Sequence, residues 1–337
     1  MTAIPGTTEF GVQPKVPRKL LPGRQPSDHV FHWSVAAIAI FVLVVTASIG
    51  LFLGYQSIPT LRHYGLHFFT QTQWQPELNR IGIAAVLVGT VEVALVAMVV
   101  AFPLAVMMAL FITDYAPKRI KGILISAIDL MAAVPGIIYG LWGFYLLEPH
   151  ALNLARWLSQ YLGWIPIFHV DTDPNAAVWQ QTRFTGSAFI AGLAVSMMAI
   201  PLACAVIRAV FDQVPVAERE AAMALGGTRF GVARTVVLPF SKGGIIGGTM
   251  LALGRALGET AAVLVIISVA YEIKPRILEA GTQTISALIA GNFGNATKAQ
   301  LSALLTAGFV LFLITLVVNS IAASVIRRSR SGAGTEA

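Results

Sequence analysis

The sequence predicts an all-α polytopic membrane protein with six transmembrane helices. Hydrophobic residues fill 56% of its 337 positions and charged residues only 12%, about half the charged share of a soluble domain. Mean hydropathy is +0.75. The apolar residues gather in six runs long enough to cross a hydrocarbon core about 30 Å thick, and almost all of the charge lies between the runs.

The same composition excludes several function classes. Cys204 is the single cysteine, so neither an internal disulfide nor a multi-cysteine metal site is available. The six histidines show no H-E-x-x-H spacing. No paired catalytic carboxylates or activated nucleophile stand at membrane depth, which argues against a membrane enzyme. A net charge of +7 would suit a nucleic-acid partner, but the placement of the basic residues explains it otherwise.

Taken in order, residues 1–28 are polar and hold Pro5, Pro14, Pro17, Pro22 and Pro26, the composition of a disordered arm. The first span, Trp33–Gly54, carries no charge and is longer than the apolar region of a cleaved secretory signal. Further spans are expected at Ile81–Ile112, Ile123–Leu147, Ser187–Phe211, Gly243–Ala270 and Leu301–Ile326. Pro103, Pro135 and Pro201 stand inside the second, third and fourth as helix-interrupting residues, tolerated where neighbouring helices re-satisfy the freed backbone groups. The fifth holds Gly243, Gly244, Gly247, Gly248, Gly254 and Gly258. Their small-xxx-small spacing lets backbones approach closely, so this helix is expected inside the bundle.

Orientation follows from the basic residues. With a cytoplasmic N-terminus, fifteen fall inside: those of the arm, Lys118, Arg119 and Lys121, the group from Arg208 to Lys242, and Arg327, Arg328 and Arg330. Seven fall outside, and Arg255 lies within a span. Both termini are therefore expected in the cytoplasm, with the high pI explained by cytoplasmic helix ends rather than by nucleic acid. The outer segment 148–186 is long for a turn, and its stretch Leu152–Gly163 is amphipathic and aromatic-bearing, suited to an interface. It serves either as a structural cover or as a docking face.

Between spans four and five runs Pro215-Val-Ala-Glu-Arg-Glu-Ala-Ala-Met-Ala-Leu-Gly-Gly-Thr228, continuing to Pro239. It reads as two short helices, with Pro215 near the first turn, Gly226–Gly227 as a C-cap and Thr228 as the next N-cap. The second must stop before Pro239. Ala221, Ala222 and Ala224 keep the first helix slim enough for a partner's groove.

This loop resembles that of importer-type ABC permeases, E-A-A-x3-G-x9-I-x-L-P. Glu220, Ala221, Ala222, Gly226, Leu238 and Pro239 match, and Val236 replaces the isoleucine. The resemblance implies the type I ABC importer permease fold, with a cytoplasmic coupling helix that docks on a nucleotide-binding subunit. The chain itself has no G-x-x-x-x-G-K-[ST] loop. It is therefore expected to bind no cofactor, with ATP and Mg held by the partner ATPase.

A charge within a span costs roughly 2.5–3.5 kcal/mol on insertion scales, so Leu253-Gly-Arg-Ala-Leu-Gly-Glu-Thr260 asks for a reason. Arg255 and Glu259 are four apart, hence on one helix face and within mutual reach. Arginine suits a tetrahedral oxyanion; a structural ion pair fixing helix register explains the spacing equally well. The segment is similar to that of phosphate-specific ABC permeases of the PstC type, as are Trp74-Gln-Pro76 and Val134-Pro-Gly-Ile-Ile-Tyr-Gly-Leu-Trp-Gly143. The resemblance places Arg255, Glu259 and the adjoining Thr260 on the substrate pathway. It departs at Gly136, where the family often has serine, and at Glu92, an unexpected acid in span two. Asp129 matches an acidic position of the family.

What the resemblance implies is half of an ATP-driven phosphate import complex in a bacterial inner membrane. The expected partners are a second permease of the PstA type, two ATP-binding subunits and an extracytoplasmic phosphate-binding protein. Permeases for sulfate, molybdate or phosphonate share the loop and remain an alternative. An ion-coupled secondary carrier would leave the loop unexplained.

Overall fold

The computed structural model describes residues 26–171 and 180–330. Residues 1–25 of the expected disordered arm, and residues 331–337 of the tail, lie outside them. The chain divides into two compact units, residues 1–49 and 50–337.

Helix α1 (Pro26–Tyr64) starts earlier than the predicted Trp33, passes from the first unit to the second at Gly50 and ends beyond the predicted Gly54. Pro26 occupies the first helical position, where a missing N–H breaks no intrahelical bond. Ile38, Phe41, Val42 and Leu43 are all exposed. A helix apolar on every side belongs in lipid or against another helix.

The second unit is a helical bundle. The end of α1 is tied to α11 (Lys298–Arg330) by the Ser302 hydroxyl, which donates to the Gln56 carbonyl at 2.8 Å and shares a 2.7 Å bond with Thr60. A two-residue hairpin pairs β1 (Trp74–Gln75) with β2 (Arg80–Ile81) and buries Trp74. Then come α2 (Ala84–Leu110), α3 (Lys118–Ala133), α4 (Gly136–Trp142), α5 (Glu148–Leu162) and α6 (Ala188–Phe211). The remainder is α7 (Val216–Ala224), α8 (Lys242–Leu257), α9 (Ala261–Ile266) and α10 (Ile285–Asn292), before α11.

Four of the described helices are long and apolar enough to cross a membrane alone, and two bent pairs complete six. Two expected spans are therefore not single helices. The third turns by 93° where Pro135 denies the helix a donor. The fifth, expected from Gly243 to Ala270, begins at Lys242 just after a 73° bend and is itself broken: α8 stops at Leu257, and helix resumes at Ala261 only as far as Ile266. Of the three prolines expected to interrupt helices, only Pro135 does so. Pro103 and Pro201 lie within continuous α2 and α6.

Packing rests on small residues. Helix α6 lies against both α2 and α8, and Ala191, Ala194, Ala199 and Ala203 are fully buried in it. A Cβ added to Gly192 would meet Val96 Cβ at 2.6 Å. On α8, Gly244 and Gly248 press against Val210 and Ile207 of α6, while Gly247 faces Ile326 of α11. The glycine-rich helix is inside the bundle, as its spacing predicts. Between apolar helices in lipid, this contact area is the main attraction.

Candidate functional site

The break between α8 and α9 places the charged residues. Arg255 is in the last turn of α8 and is exposed. Its Nη2 donates to the Met198 thioether of α6 at 3.2 Å, and the guanidinium lies within electrostatic reach of Tyr139 on α4. A thioether is a weak acceptor. Among the described residues no carboxylate pairs with Arg255, so its fork of donors keeps its capacity for an anion.

Glu259 has a different task. Its Oε1 accepts the N–H of Ala262 at 3.1 Å, capping α9. Its carbonyl accepts the Ser286 hydroxyl at 2.7 Å, tying the break to α10. A Cβ on Gly136 would stand 2.6 Å from Glu259 Oε1, so glycine at this position gives the carboxylate its room. The expected Arg255–Glu259 pair on one helix face is not formed. The i,i+4 rule needs continuous helix, and α8 ends at Leu257, two residues before the glutamate. Thr260 adjoins them, with its hydroxyl donating to the Gly258 carbonyl at 3.1 Å.

Arg255 and Glu259 thus flank α4 separately, one by Tyr139 and the other by Gly136. The Tyr139 hydroxyl also donates to Met131 O at 2.8 Å, bridging the Pro135 break. Sequence reasoning assigned no role to Tyr139, Met198 or Ser286. Tyr139 at least lay inside a motif already singled out; for the other two no sequence signal existed. Glu92 is half-buried on α2, and Asp129 is exposed on α3.

The loop from Pro215 to Pro239 forms a second feature. Glu220, Ala221 and Ala222 lie in α7, preceded by Pro215 at the N-cap. Gly226 takes φ +87, a left-handed conformation that closes the helix at low steric cost only for glycine. Gly227 N–H then bonds the Ala222 carbonyl at 3.1 Å. Thr228 caps the next turn as expected, its hydroxyl accepting the Gly231 N–H at 3.1 Å. The second helix does not stop before Pro239. A helical turn at Arg229–Val232 widens into a π turn, Ala233–Val237, and Leu238–Phe240 stay helical. The proline falls in the first positions after the π turn, where its missing donor is tolerated. Leu225 is 91% exposed, Phe230 68% and Val216 67%.

The chain is a multi-pass bundle with two broken spans and an exposed short helix, and its family makes it a permease, the membrane-spanning component of a transport system. The chain belongs to the family of binding-protein-dependent transport system inner membrane components, whose model matches residues 101–331. A permease of this family works with further transporter subunits and a binding protein. The chain is 36% identical over 303 residues to a phosphate transport system permease protein PstC of Xylella fastidiosa (strain Temecula1), covering 90% of this chain and 91% of that one. It is 35% identical over 302 residues to a phosphate transport system permease protein PstC 2 of Mycobacterium tuberculosis, covering 88% and 91%. Its fold is similar to a chain in the crystal structure of a bacterial alginate ABC transporter, with a TM-score of 0.59, 16% identity, and 90% and 96% coverage.

Proposed function

We propose that this chain is one of two permease subunits of an ATP-driven phosphate importer and that phosphate passes Arg255. The observation that carries the reading is a guanidinium without a carboxylate partner among the described residues, held at a helix break by one weak acceptor. Such a group presents a fork suited to a tetrahedral oxyanion. Relatives named as phosphate transport permeases match at 35–36% identity over most of their length, which favours phosphate over sulfate, molybdate or phosphonate.

The remaining parts follow from the loop. Leu225, Phe230 and Val216 are exposed on a segment rich in basic residues, which the positive-inside rule places in the cytoplasm with both termini. Large apolar side chains exposed among charged ones suit a contact with another protein. Two ATP-binding subunits, holding ATP and Mg, dock there, and a second permease of the PstA type completes the pathway. The phosphate-binding protein delivers from outside. This chain binds no cofactor of its own. Docking and closure of the ATPases open the path outward, and hydrolysis resets it.

The test is phosphate uptake by cells lacking their own importer, expressing this chain with its partners as wild type or Arg255→Gln. The wild type should restore uptake and the assembled variant should not. Equal uptake by both would make the arginine structural. No uptake by either assembled complex would overturn phosphate as the substrate and bring the other oxyanions forward.

A further inference from the structure

Helix α7 has no buried residue. A helix so exposed transmits a push only where something fastens it to the bundle, and one side chain does so at two points. Arg219 Nη1 donates to the Asp114 carboxylate, and its Nη2 donates to the carbonyl of Phe211. Asp114 stands in the π turn Phe111–Tyr115 that finishes α2, and Phe211 is the last residue of α6. One guanidinium therefore joins three elements: the docking helix, α2 and α6. Nε makes no hydrogen bond among the described residues, so the grip runs through the two terminal nitrogens.

Burial separates this junction from its neighbour. The Arg219 and Asp114 side chains are 18% and 13% exposed, whereas the nearby Lys121–Asp212 pair, at 3.3 Å, is 32% and 44% exposed. Buried charges are screened little by salt and tolerate separation poorly. Downstream, α2 and α6 share the most extensive helix contact in the bundle, and both pack on α8, which carries Arg255. A π turn, with its loosened i→i+5 closure, is a place where a helix end can change its winding.

We infer that Arg219 and Asp114 form the joint through which movement of the ATP-hydrolysing subunits reaches the substrate path. They are positioning residues: neither touches phosphate or nucleotide. The inference rests on the reading of α7 as the ATPase-docking helix.

The test uses the whole complex reconstituted in proteoliposomes, with phosphate-loaded binding protein. The readouts are co-purification of the ATPase subunits, acceleration of ATP hydrolysis by the loaded binding protein, and phosphate moved per ATP. Arg219→Lys keeps the charge opposite Asp114 but cannot hold the carboxylate and the Phe211 carbonyl with one planar fork. Arg219→Lys should assemble fully, while both the acceleration and phosphate moved per ATP fall at least about fivefold, the low end of typical allosteric coupling. Asp114→Asn should act likewise, because it leaves the guanidinium only the Phe211 carbonyl as a full-strength partner. Wild-type coupling in an assembled Arg219→Lys complex overturns the inference. So does failure of Arg219→Lys to assemble, because the pair is then a structural strut. If the wild-type complex lacks the ATPase subunits or moves no phosphate, it is the function reading that fails.

Discussion

Glu259 and Gly136 meet across two broken spans, and each explains the other. The carboxylate caps α9 through the Ala262 N–H, and the absent side chain at position 136 leaves it the space. Gly136→Ala should displace the carboxylate and lose the cap, costing about 1 kcal/mol. Glu259→Ala should cost a similar amount, and the double variant little more than either alone, because both remove one interaction. Equilibrium unfolding in mixed micelles checks this, and additive losses would contradict it. The departure at Gly136 was visible in the sequence. Its reason was not, because the glutamate it faces is more than a hundred residues away.

At the scale of elements, the decisive feature is how closely helices approach. Gly192 brings α6 against Val96 of α2, where an added Cβ would have 2.6 Å. Gly192→Ala should therefore overpack the contact and destabilise the bundle by about 1–3 kcal/mol, read as a lower thermal midpoint in detergent. Gly122, on α3, has nothing within 4 Å of an added Cβ. Gly122→Ala should leave stability unchanged or raise it by up to about 1 kcal/mol, since alanine is the better helix former. The apolar runs announced the spans because burial in lipid sets their length. The prolines were less informative: of Pro103, Pro135 and Pro201, only Pro135 ends a helix, and the difference lies in neighbours that a linear pattern does not contain. Pro239, inside a helical stretch beyond a π turn, makes the same point.

Across the second unit, distant loops are held by charge. Asp171, in the long loop after α5, pairs with Arg276, which also meets Glu279 at 3.5 Å. The Ile277 N–H bonds the Ile167 carbonyl beside them at 3.2 Å. The Arg276 hydrogen bond, with a smaller contribution from His169, holds the Asp171 carboxyl below its usual range. A lowered folded pKa means stabilisation that is full above the ordinary aspartate value of about 3.9 and lost as the pH falls through the folded value. Exchange protection of the Ile277 amide should accordingly stay level from neutral pH down to about 4 and decline below it. Asp171→Asn should lower that protection already at neutral pH. A wild-type amide that loses protection between neutrality and that point would contradict the assignment.

By itself, the sequence determined that this chain lives in a membrane, roughly where its spans lie, and which loop carries the motif that resembles the one in importer-type permeases. These properties depend on composition, run length and local spacing, all of which survive in one dimension. Only the tertiary structure decided that Arg255 and Glu259 do not pair, because a helix ends between them. It alone placed Arg219 on Asp114 and the Phe211 carbonyl, and Glu259 on Gly136. The Arg219–Asp114 and Glu259–Gly136 contacts join residues more than a hundred positions apart, and such partners are chosen by how helices stack and where they break.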